Sequence, residues 1–223
     1  MTPRLRNVAH RDHLLARGRE ADVFLRPDGL LRKRSRTGRD PRPEAELMRH
    51  LRAHGIPVPR VAEADATEIV MEYVPGPRMS QELDAKPWRA RRLGRQLARL
   101  HRDLDAVPAP DFLPGDGALL HLDLHPGNVV LGPDGPVLVD WADAARGDRS
   151  LDVALSWLAV EVGRVAPLRR PVRGAFLGAF LAGRVDAAVR RAMPAAARIR
   201  LGRARRDDAE VAAVSRLVER CSG

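Results

Sequence analysis

The sequence predicts an α+β protein in which antiparallel strands and one helix precede a mainly helical region. Its first third contains short apolar runs rich in strand-forming residues and separated by turn sequences, whereas later segments carry apolar residues at helical spacing. A Pro-Gly-Pro sequence at 75–77 separates the two kinds of pattern. With 44% hydrophobic residues in 223, the chain is long enough to bury a core. We therefore expect two lobes, residues 1–76 and 77–223.

The first lobe begins with a predicted hairpin at 21–35, where two apolar runs flank Pro-Asp-Gly. A helix is expected over 43–55, because this segment opens with proline, ends with glycine and has leucines and a methionine at helical spacing. Prolines in 56–61 exclude a helix there. The run EIVMEYV at 68–74 then predicts a strand that ends at the Pro-Gly-Pro sequence.

In the second lobe, four leucines at spacings of four, three and four residues predict an amphipathic helix from about 87 to 104. Two short apolar runs around Pro133-Asp134-Gly135 predict another hairpin, and the pattern from 151 onward is helical. The segment GAFLGAFLAG at 174–183 is too short to span a membrane, which takes about 18 apolar residues, so it predicts a buried helix.

Charge is unevenly distributed along the chain. The net charge is +10, yet residues 100–163 carry −8 and residues 164–223 carry +9. An acidic segment within a basic protein suits a site for divalent cations. A charged N-terminal segment and a single cysteine, Cys221, predict a cytoplasmic protein without internal disulfides and without a membrane span.

The acidic segment contains the sequence HLDLHPGN at 121–128. Asp123 and Asn128 are five residues apart, and Asp140 is predicted to end the second strand of the hairpin. The hairpin would return Asp140 to the side of the loop, so that three oxygen-bearing side chains converge. Such a set suits Mg²⁺ held together with phosphate oxygens, and its spacing matches the catalytic loop and metal-binding aspartate of kinase-type phosphoryl transfer.

The segment HLDLHPGNVVL together with VLVDWADAARGDRSLDVA resembles the aminoglycoside phosphotransferase and choline kinase-like family. These are small-molecule kinases with the protein-kinase-like fold, in which Asp-Trp commonly stands where protein kinases have Asp-Phe-Gly. The resemblance extends from about residue 15 to 160. It implies a nucleotide-binding N-lobe, a C-lobe that carries the catalytic loop, ATP and Mg²⁺ as cofactors, and transfer of the γ-phosphoryl group to a hydroxyl of a small molecule.

By this resemblance, Asp123 is the base that accepts the hydroxyl proton, and Asn128 and Asp140 are the Mg²⁺ ligands. His121 supports the loop, and Asp152 braces it from a later segment.

The resemblance also assigns the nucleotide site. Lys33 stands where the family has its phosphate-binding lysine, with Glu44 as its acidic partner and Glu46 as the alternative. Lys33 is one of only two lysines among 39 basic residues, and a compact ammonium is poorly replaced by arginine in this role. The carbonyl of Glu72 and the amide of Val74 would bind the adenine edge. Gly18 is the one glycine of the phosphate-covering loop RGREADVF.

Other functions remain open on the sequence alone. His121 and His125 suggest a zinc-dependent hydrolase, although no further His or Cys cluster completes a zinc site. An inactive kinase-like binding module is disfavoured because every expected catalytic residue is present. A small atypical Ser/Thr protein kinase is the nearest alternative. The arginine-rich C-terminal segment favours a neutral or anionic small-molecule acceptor, and association with nucleic acid is a lesser alternative.

Overall fold

The computed structural model of the protein describes residues 12–163, 166–203 and 208–222. Within these ranges, a five-stranded antiparallel sheet with one helix is followed by a region in which helices predominate. This arrangement confirms the predicted α+β fold. Residues 1–11 of the predicted N-lobe lie outside the described residues.

The sheet has the strand order β1-β2-β3-β5-β4, and every neighbouring pair is antiparallel. Its elements are β1 (His13–Arg17), β2 (Ala21–Leu25), β3 (Leu30–Ser35), α1 (Arg42–Ala53), β4 (Val61–Ala64) and β5 (Glu68–Glu72). The predicted hairpin, helix and strand are confirmed as β2–β3, α1 and β5. The sequence analysis did not identify β1 and β4.

Helix α1 contacts both β4 and β5. Ala45, Leu47, Met48 and Leu51 form its buried side, at a spacing that follows the helical period. Lys33 lies in the middle of β3, where it is paired with Val23 on one side and Ile69 on the other. A central strand bonded on both sides fixes the position of this lysine.

Within the described residues, the second region contains helices and two short antiparallel pairs of strands. Its elements are α2 (Met79–Ala85), a 3₁₀ turn (Pro87–Arg89), α3 (Ala90–Asp105), β6 (Ala118–Leu120), a 3₁₀ turn (Pro126–Asn128), β7 (Val129–Gly132), β8 (Gly135–Leu138), β9 (Ala145–Gly147), α4 (Arg149–Val162), a 3₁₀ turn (Pro167–Arg169), α5 (Arg170–Leu181), α6 (Ala187–Arg203) and α7 (Asp208–Ser222). The hairpin predicted around 133–135 is β7–β8, and β6 pairs with β9.

The predicted leucine-lined helix is α3, and the short apolar segment forms most of α5. These two helices pack closely at Gly94, where an added Cβ atom would lie 2.3 Å from the carbonyl oxygen of Phe176. Phe176 and Phe180 are fully buried, as predicted for this segment. Among the described residues, no helix is both long and apolar enough to cross a membrane.

Residues 73–78 join the sheet to the helical region and lie against β7. Gly76 has a φ of 145°, and an added Cβ atom would lie 2.2 Å from the carbonyl oxygen of Leu131. The Leu131 N–H in turn donates to the carbonyl of Pro77 over 2.9 Å. This segment therefore ties the end of β5 to the hairpin that carries the acidic loop. The division into functional lobes at 76/77 stays a prediction.

Candidate active site

The loop at 121–128 is held by a carboxylate beneath it. Asp152, buried in the first turn of α4, accepts the backbone N–H of His121 over 3.1 Å and that of Leu122 over 2.6 Å. Burial raises the pKa of Asp152 above its usual range, although the nearby His121 and the two N–H donors favour the ionised form. Leu122 has a φ of 62°, an unusual conformation for a residue with a branched side chain. The two bonds to Asp152 hold the loop in this strained form.

Asn128 connects the end of the loop to Asp123. Its Nδ2 donates to the backbone carbonyl of Asp123 over 3.0 Å and to Oδ2 of the same residue over 3.1 Å. With Nδ2 directed at Asp123, the amide oxygen Oδ1 is the atom of Asn128 that suits a cation. The carbonyl of Asn128 accepts the N–H of Val139 over 3.1 Å. The β7–β8 hairpin therefore returns the chain to the loop, as its spacing predicted.

Asp140 lies two residues beyond the last residue of β8, not at the end of the strand as its spacing suggested. Its φ of 68° is left-handed, which turns the chain sharply before Trp141. The Trp141 ring is buried, and its centroid lies 4.3 Å from that of His121. His121 also contacts the carbonyl of Val139 through Nε2 at 3.3 Å, so the histidine links the loop to the segment that leads to Asp140.

Lys33 contacts two carboxylates from different parts of the chain. Its Nζ lies 2.7 Å and 3.0 Å from the two carboxylate oxygens of Glu44 on α1, and 2.8 Å from Oδ1 of Asp140. Glu44 is 8% exposed and its Oε1 also accepts the N–H of Trp141 over 3.2 Å. Glu46 is exposed on the same helix. Of the two candidate partners of Lys33, the structure thus brings Glu44 to the lysine.

These contacts keep the lysine and Asp140 ionised at neutral pH. Burial opposes the charge of Lys33, but Glu44 and Asp140 together raise its pKa above 10.5. Burial likewise opposes the charge of Asp140, but Lys33 lowers the pKa of this carboxyl below 3.8. A lowered carboxyl pKa means that the stabilisation is present above pH 3.8 and lost as the pH falls through the folded-state value. The pair is therefore intact throughout the neutral range.

The remaining predicted nucleotide-site residues lie on the same sheet or just after it. Gly18 begins the β1–β2 turn, where its N–H donates to the carbonyl of Ala21 over 2.9 Å. An added Cβ at Gly18 would lie 2.6 Å from that oxygen, so the tight turn needs glycine. Glu72 ends β5, opposite Leu30, and Val74 follows two residues later. The roles predicted for these residues stay predictions.

His125, one of the two histidines that suggested zinc, and the buried His101 have distinct surroundings. Nδ1 of His125 accepts the N–H of Gly127 over 3.0 Å, which leaves Nε2 as its protonated nitrogen, 3.7 Å from Oδ2 of Asp123. His101 is buried against Ser156 at 3.0 Å, and burial lowers its pKa to about 3. In the part of the chain that the structure describes, no three His, Cys, Asp or Glu side chains are arranged to hold a metal ion. The hydrolase alternative gains no support from this geometry.

The sequence analysis did not identify Arg39, which connects three segments near the site. Its guanidinium donates to Oδ1 of Asp143 over 3.2 Å and to the carbonyl of Ala142, and it lies 3.8 Å from Oε2 of Glu20. Arg39 thereby joins the β1–β2 turn to the loop that follows Asp140. No local pattern marks it, because its partners lie about 20 residues before it and about 100 after it.

Comparison with known proteins agrees with this geometry. The sequence pattern of the phosphotransferase enzyme family matches residues 13–116 and 102–199, so the chain belongs to this family. This confirms the resemblance noted from the acidic loop.

Two curated proteins are similar to parts of the chain. The KEOPS complex subunit Bud32 of Pyrococcus abyssi is 29% identical over 136 residues, which are 58% of this chain and 50% of that protein. Thiamine kinase of Escherichia coli is 39% identical over 64 residues, which are 29% of this chain and 21% of the kinase. The chain spans half or less of the length of these relatives.

Solved structures share the fold at low sequence identity. A thermostable mutant of the aminoglycoside phosphotransferase APH(4)-Ia, in a complex with AMP-PNP and hygromycin B, has a TM-score of 0.69 at 14% identity, with 96% of this chain and 94% of that chain covered. A choline/ethanolamine kinase family protein from Mesorhizobium loti has a TM-score of 0.58 at 19% identity, with 99% and 90% covered. Both confirm the protein-kinase-like fold.

Replacing Glu44 by Gln should weaken the contact with Lys33 and destabilise the protein. The change removes a charge from a buried ion pair, so we expect the free energy of unfolding to fall by about 2 kcal/mol. Glu46→Gln, on the exposed side of the same helix, should change it by less than about 0.5 kcal/mol. Urea unfolding of both variants measures the difference. Equal losses would show that the contact does not stabilise this part of the fold.

Proposed function

We propose that the protein is an ATP- and Mg²⁺-dependent phosphotransferase that moves the γ-phosphoryl group of ATP to a hydroxyl of a small molecule. The observation that carries this proposal is the contact of Lys33 with both Glu44 and Asp140, beside the Asp123–Asn128 pair. Kinase-type phosphoryl transfer needs a cation on the nucleotide phosphates, a metal-binding carboxylate and a base for the attacking hydroxyl. Membership of the phosphotransferase family supports the same reaction.

Each residue has a distinct part in this mechanism. Asp123 accepts the proton of the attacking hydroxyl, and the Nδ2 of Asn128 orients its carboxylate. Lys33 contacts the nucleotide phosphates. The carboxylates of Glu44 and Asp140 on either side of its ammonium fix its position for this contact. Asn128 and Asp140 would hold Mg²⁺, which when bound neutralises charge on the phosphates. The small number of protein ligands suits a cation that takes its other ligands from phosphate and water.

The nucleotide is proposed to lie against the sheet. Glu72 and Val74 would bind the adenine edge through their backbone, and the tight turn at Gly18 would cover the phosphates. Solved structures of the same fold contain AMP-PNP, and the amicoumacin kinase hAmiN contains AMP-PNP with Ca²⁺. These complexes support a nucleotide and a divalent cation as the cofactors of this chain.

The acceptor is proposed to be neutral or anionic. Helix α6 carries exposed arginines at 190, 191 and 198, which repel polycations such as aminoglycosides. Arg200 is the exception in this group, because it forms an ion pair with Glu210 at 2.8 Å. The side chain of Arg203 and all of Arg205 and Arg206 lie outside the described residues. Similarity to thiamine kinase supports a small-molecule acceptor.

A protein acceptor is the second candidate. It is favoured by the similarity to Bud32, a subunit of a protein complex, which extends over 58% of this chain. The chain nevertheless has Asp-Trp at 140–141, which the small-molecule kinases of the resembled family commonly share. The two candidates differ in the product that carries the transferred phosphoryl group.

A screen of acceptors separates these candidates. Purified protein with MgATP should phosphorylate a member of a panel of sugars, nucleosides and acidic hydroxyl metabolites, detected by mass spectrometry of the product. A panel of proteins run in parallel should gain no phosphoryl group. Efficient phosphorylation of kanamycin at micromolar KM would contradict the proposed acceptor class, and selective labelling of proteins would favour the second candidate.

Asp123→Asn should fold and bind nucleotide normally but turn over slowly. Loss of a general base is expected to lower kcat by roughly 10² to 10⁴. The matched control is Asp134→Asn, an exposed aspartate in the β7–β8 turn, which should leave kcat unchanged. Rates are measured with the acceptor that the screen identifies, and thermal melting checks the fold. Near-normal kcat in a folded Asp123→Asn protein would remove this residue from the mechanism.

A further inference from the structure

The exposed side of α3 is a row of arginines. The helix buries leucines at 93, 97, 100 and 104, and its exposed side carries five arginines followed by Asp103. We call this set the α3 arginine face: Arg91, Arg92, Arg95, Arg99 and Arg102. From Arg92 onward the spacings are three, four and three residues, which keeps the side chains on one side of the helix over about 15 Å.

No acidic residue occurs between Ala90 and Arg102. Within the described ranges, the structure shows no ion pair from any of the five arginines to a carboxylate. Some arginines elsewhere are paired, as Arg146 is with Asp111 at 3.0 Å. Like charges four residues apart destabilise a helix, so this row disfavours α3 by itself. A polyanion bound along the face would remove that repulsion.

The N-terminal end of the face has an exposed aromatic side chain, and its C-terminal end has an excess of positive charge. Trp88, in the 3₁₀ turn before α3, is 77% exposed and stands four residues before Arg92. At the other end lies Arg184. Burial lowers the pKa of its guanidinium, and the nearby charge of Arg102 lowers it further. Arg184 is 11% exposed and lies 3.7 Å from Asp105, and its Nε and Nη2 are buried without a hydrogen-bond partner among the described residues, so it adds positive charge but no direct contact to a ligand. Arg149 contacts the same aspartate at 3.4 Å, so positive charge remains in excess there.

We propose that the α3 arginine face binds single-stranded nucleic acid. Guanidinium groups form paired hydrogen bonds to phosphate, and a row of them suits a chain of phosphodiesters. The exposed Trp88, four residues before Arg92, provides a flat surface on which a base stacks. An acidic polypeptide would use the charges but would gain little from Trp88. The face is on a helix that supplies none of the proposed active-site residues, so this binding does not depend on the proposed phosphoryl transfer.

Fluorescence anisotropy with labelled 20-nucleotide single-stranded RNA and DNA tests the proposal. The full chain should bind one or both, with affinity that falls steeply as salt rises. The variant R92Q/R95Q/R99Q/R102Q should bind tenfold or more weakly, and the slope of log K against log salt should shrink by about 0.7 for each phosphate that the variant no longer neutralises. The matched control R190Q/R191Q/R198Q/R216Q removes four exposed arginines from α6 and α7 and should keep the slope.

Trp88→Ala separates nucleic acid from other polyanions. It should weaken binding of the oligonucleotide roughly tenfold, leave binding of inorganic polyphosphate unchanged, and be rescued by Trp88→Phe. Circular dichroism melting confirms that each variant folds, which is expected because all the changed side chains are exposed. Any of three results would overturn the proposal. The two arginine variants could lose equal affinity, or the oligonucleotides could fail to bind at physiological salt. Polyglutamate could also bind as tightly as the oligonucleotides, with an affinity that Trp88→Ala leaves unchanged.

Discussion

The contact of one lysine with two carboxylates holds the proposed active site together. Lys33 comes from the central strand of the sheet, Glu44 from the helix packed on it, and Asp140 from the segment that follows the β7–β8 hairpin. A buried ammonium is costly unless it is paired, so the three groups stabilise one another only when sheet, helix and hairpin are correctly placed. Glu44 extends the contact to the backbone of Trp141, which fixes the residue next to Asp140.

The loop at 121–128 depends on a second buried carboxylate. Asp152 bonds two successive N–H groups of a segment that contains a left-handed leucine, and Asn128 then aligns Asp123. Two residues with left-handed φ stand on either side of the β7–β8 hairpin. Leu122 precedes the proposed base Asp123, and Asp140 is itself a proposed Mg²⁺ ligand. Strain of this kind persists where surrounding contacts over-determine the backbone. Here the contacts are the bonds from Asp152 and the ion pair with Lys33.

The elements that could be predicted from the sequence are those whose structure depends on neighbouring residues. The β2–β3 and β7–β8 hairpins were predictable because Pro-Asp-Gly turns fix them, and α1 and α3 because their apolar residues repeat at the helical period. The strands β6 and β9 were missed because each has three residues and forms only by pairing with the other, about 25 residues away. The left-handed Asp140 and the contacts of Arg39 were missed for the same reason, since both depend on distant residues. The α3 arginine face was also missed, because net charge was summed over long segments. The grouping of these arginines becomes visible only when the residues are placed on a helix.

Binding of MgATP to Lys33→Met, measured by isothermal titration calorimetry, tests the central claim most directly. Arg32→Met and Arg34→Met serve as controls, because strand alternation places both arginines on the opposite face of β3, where Arg34 contacts Glu68 at 3.0 Å. The account predicts that Lys33→Met loses tenfold or more in affinity for MgATP, while the two controls bind as the unaltered protein does. Equal affinity of all three variants would contradict the assignment of Lys33 to the nucleotide phosphates.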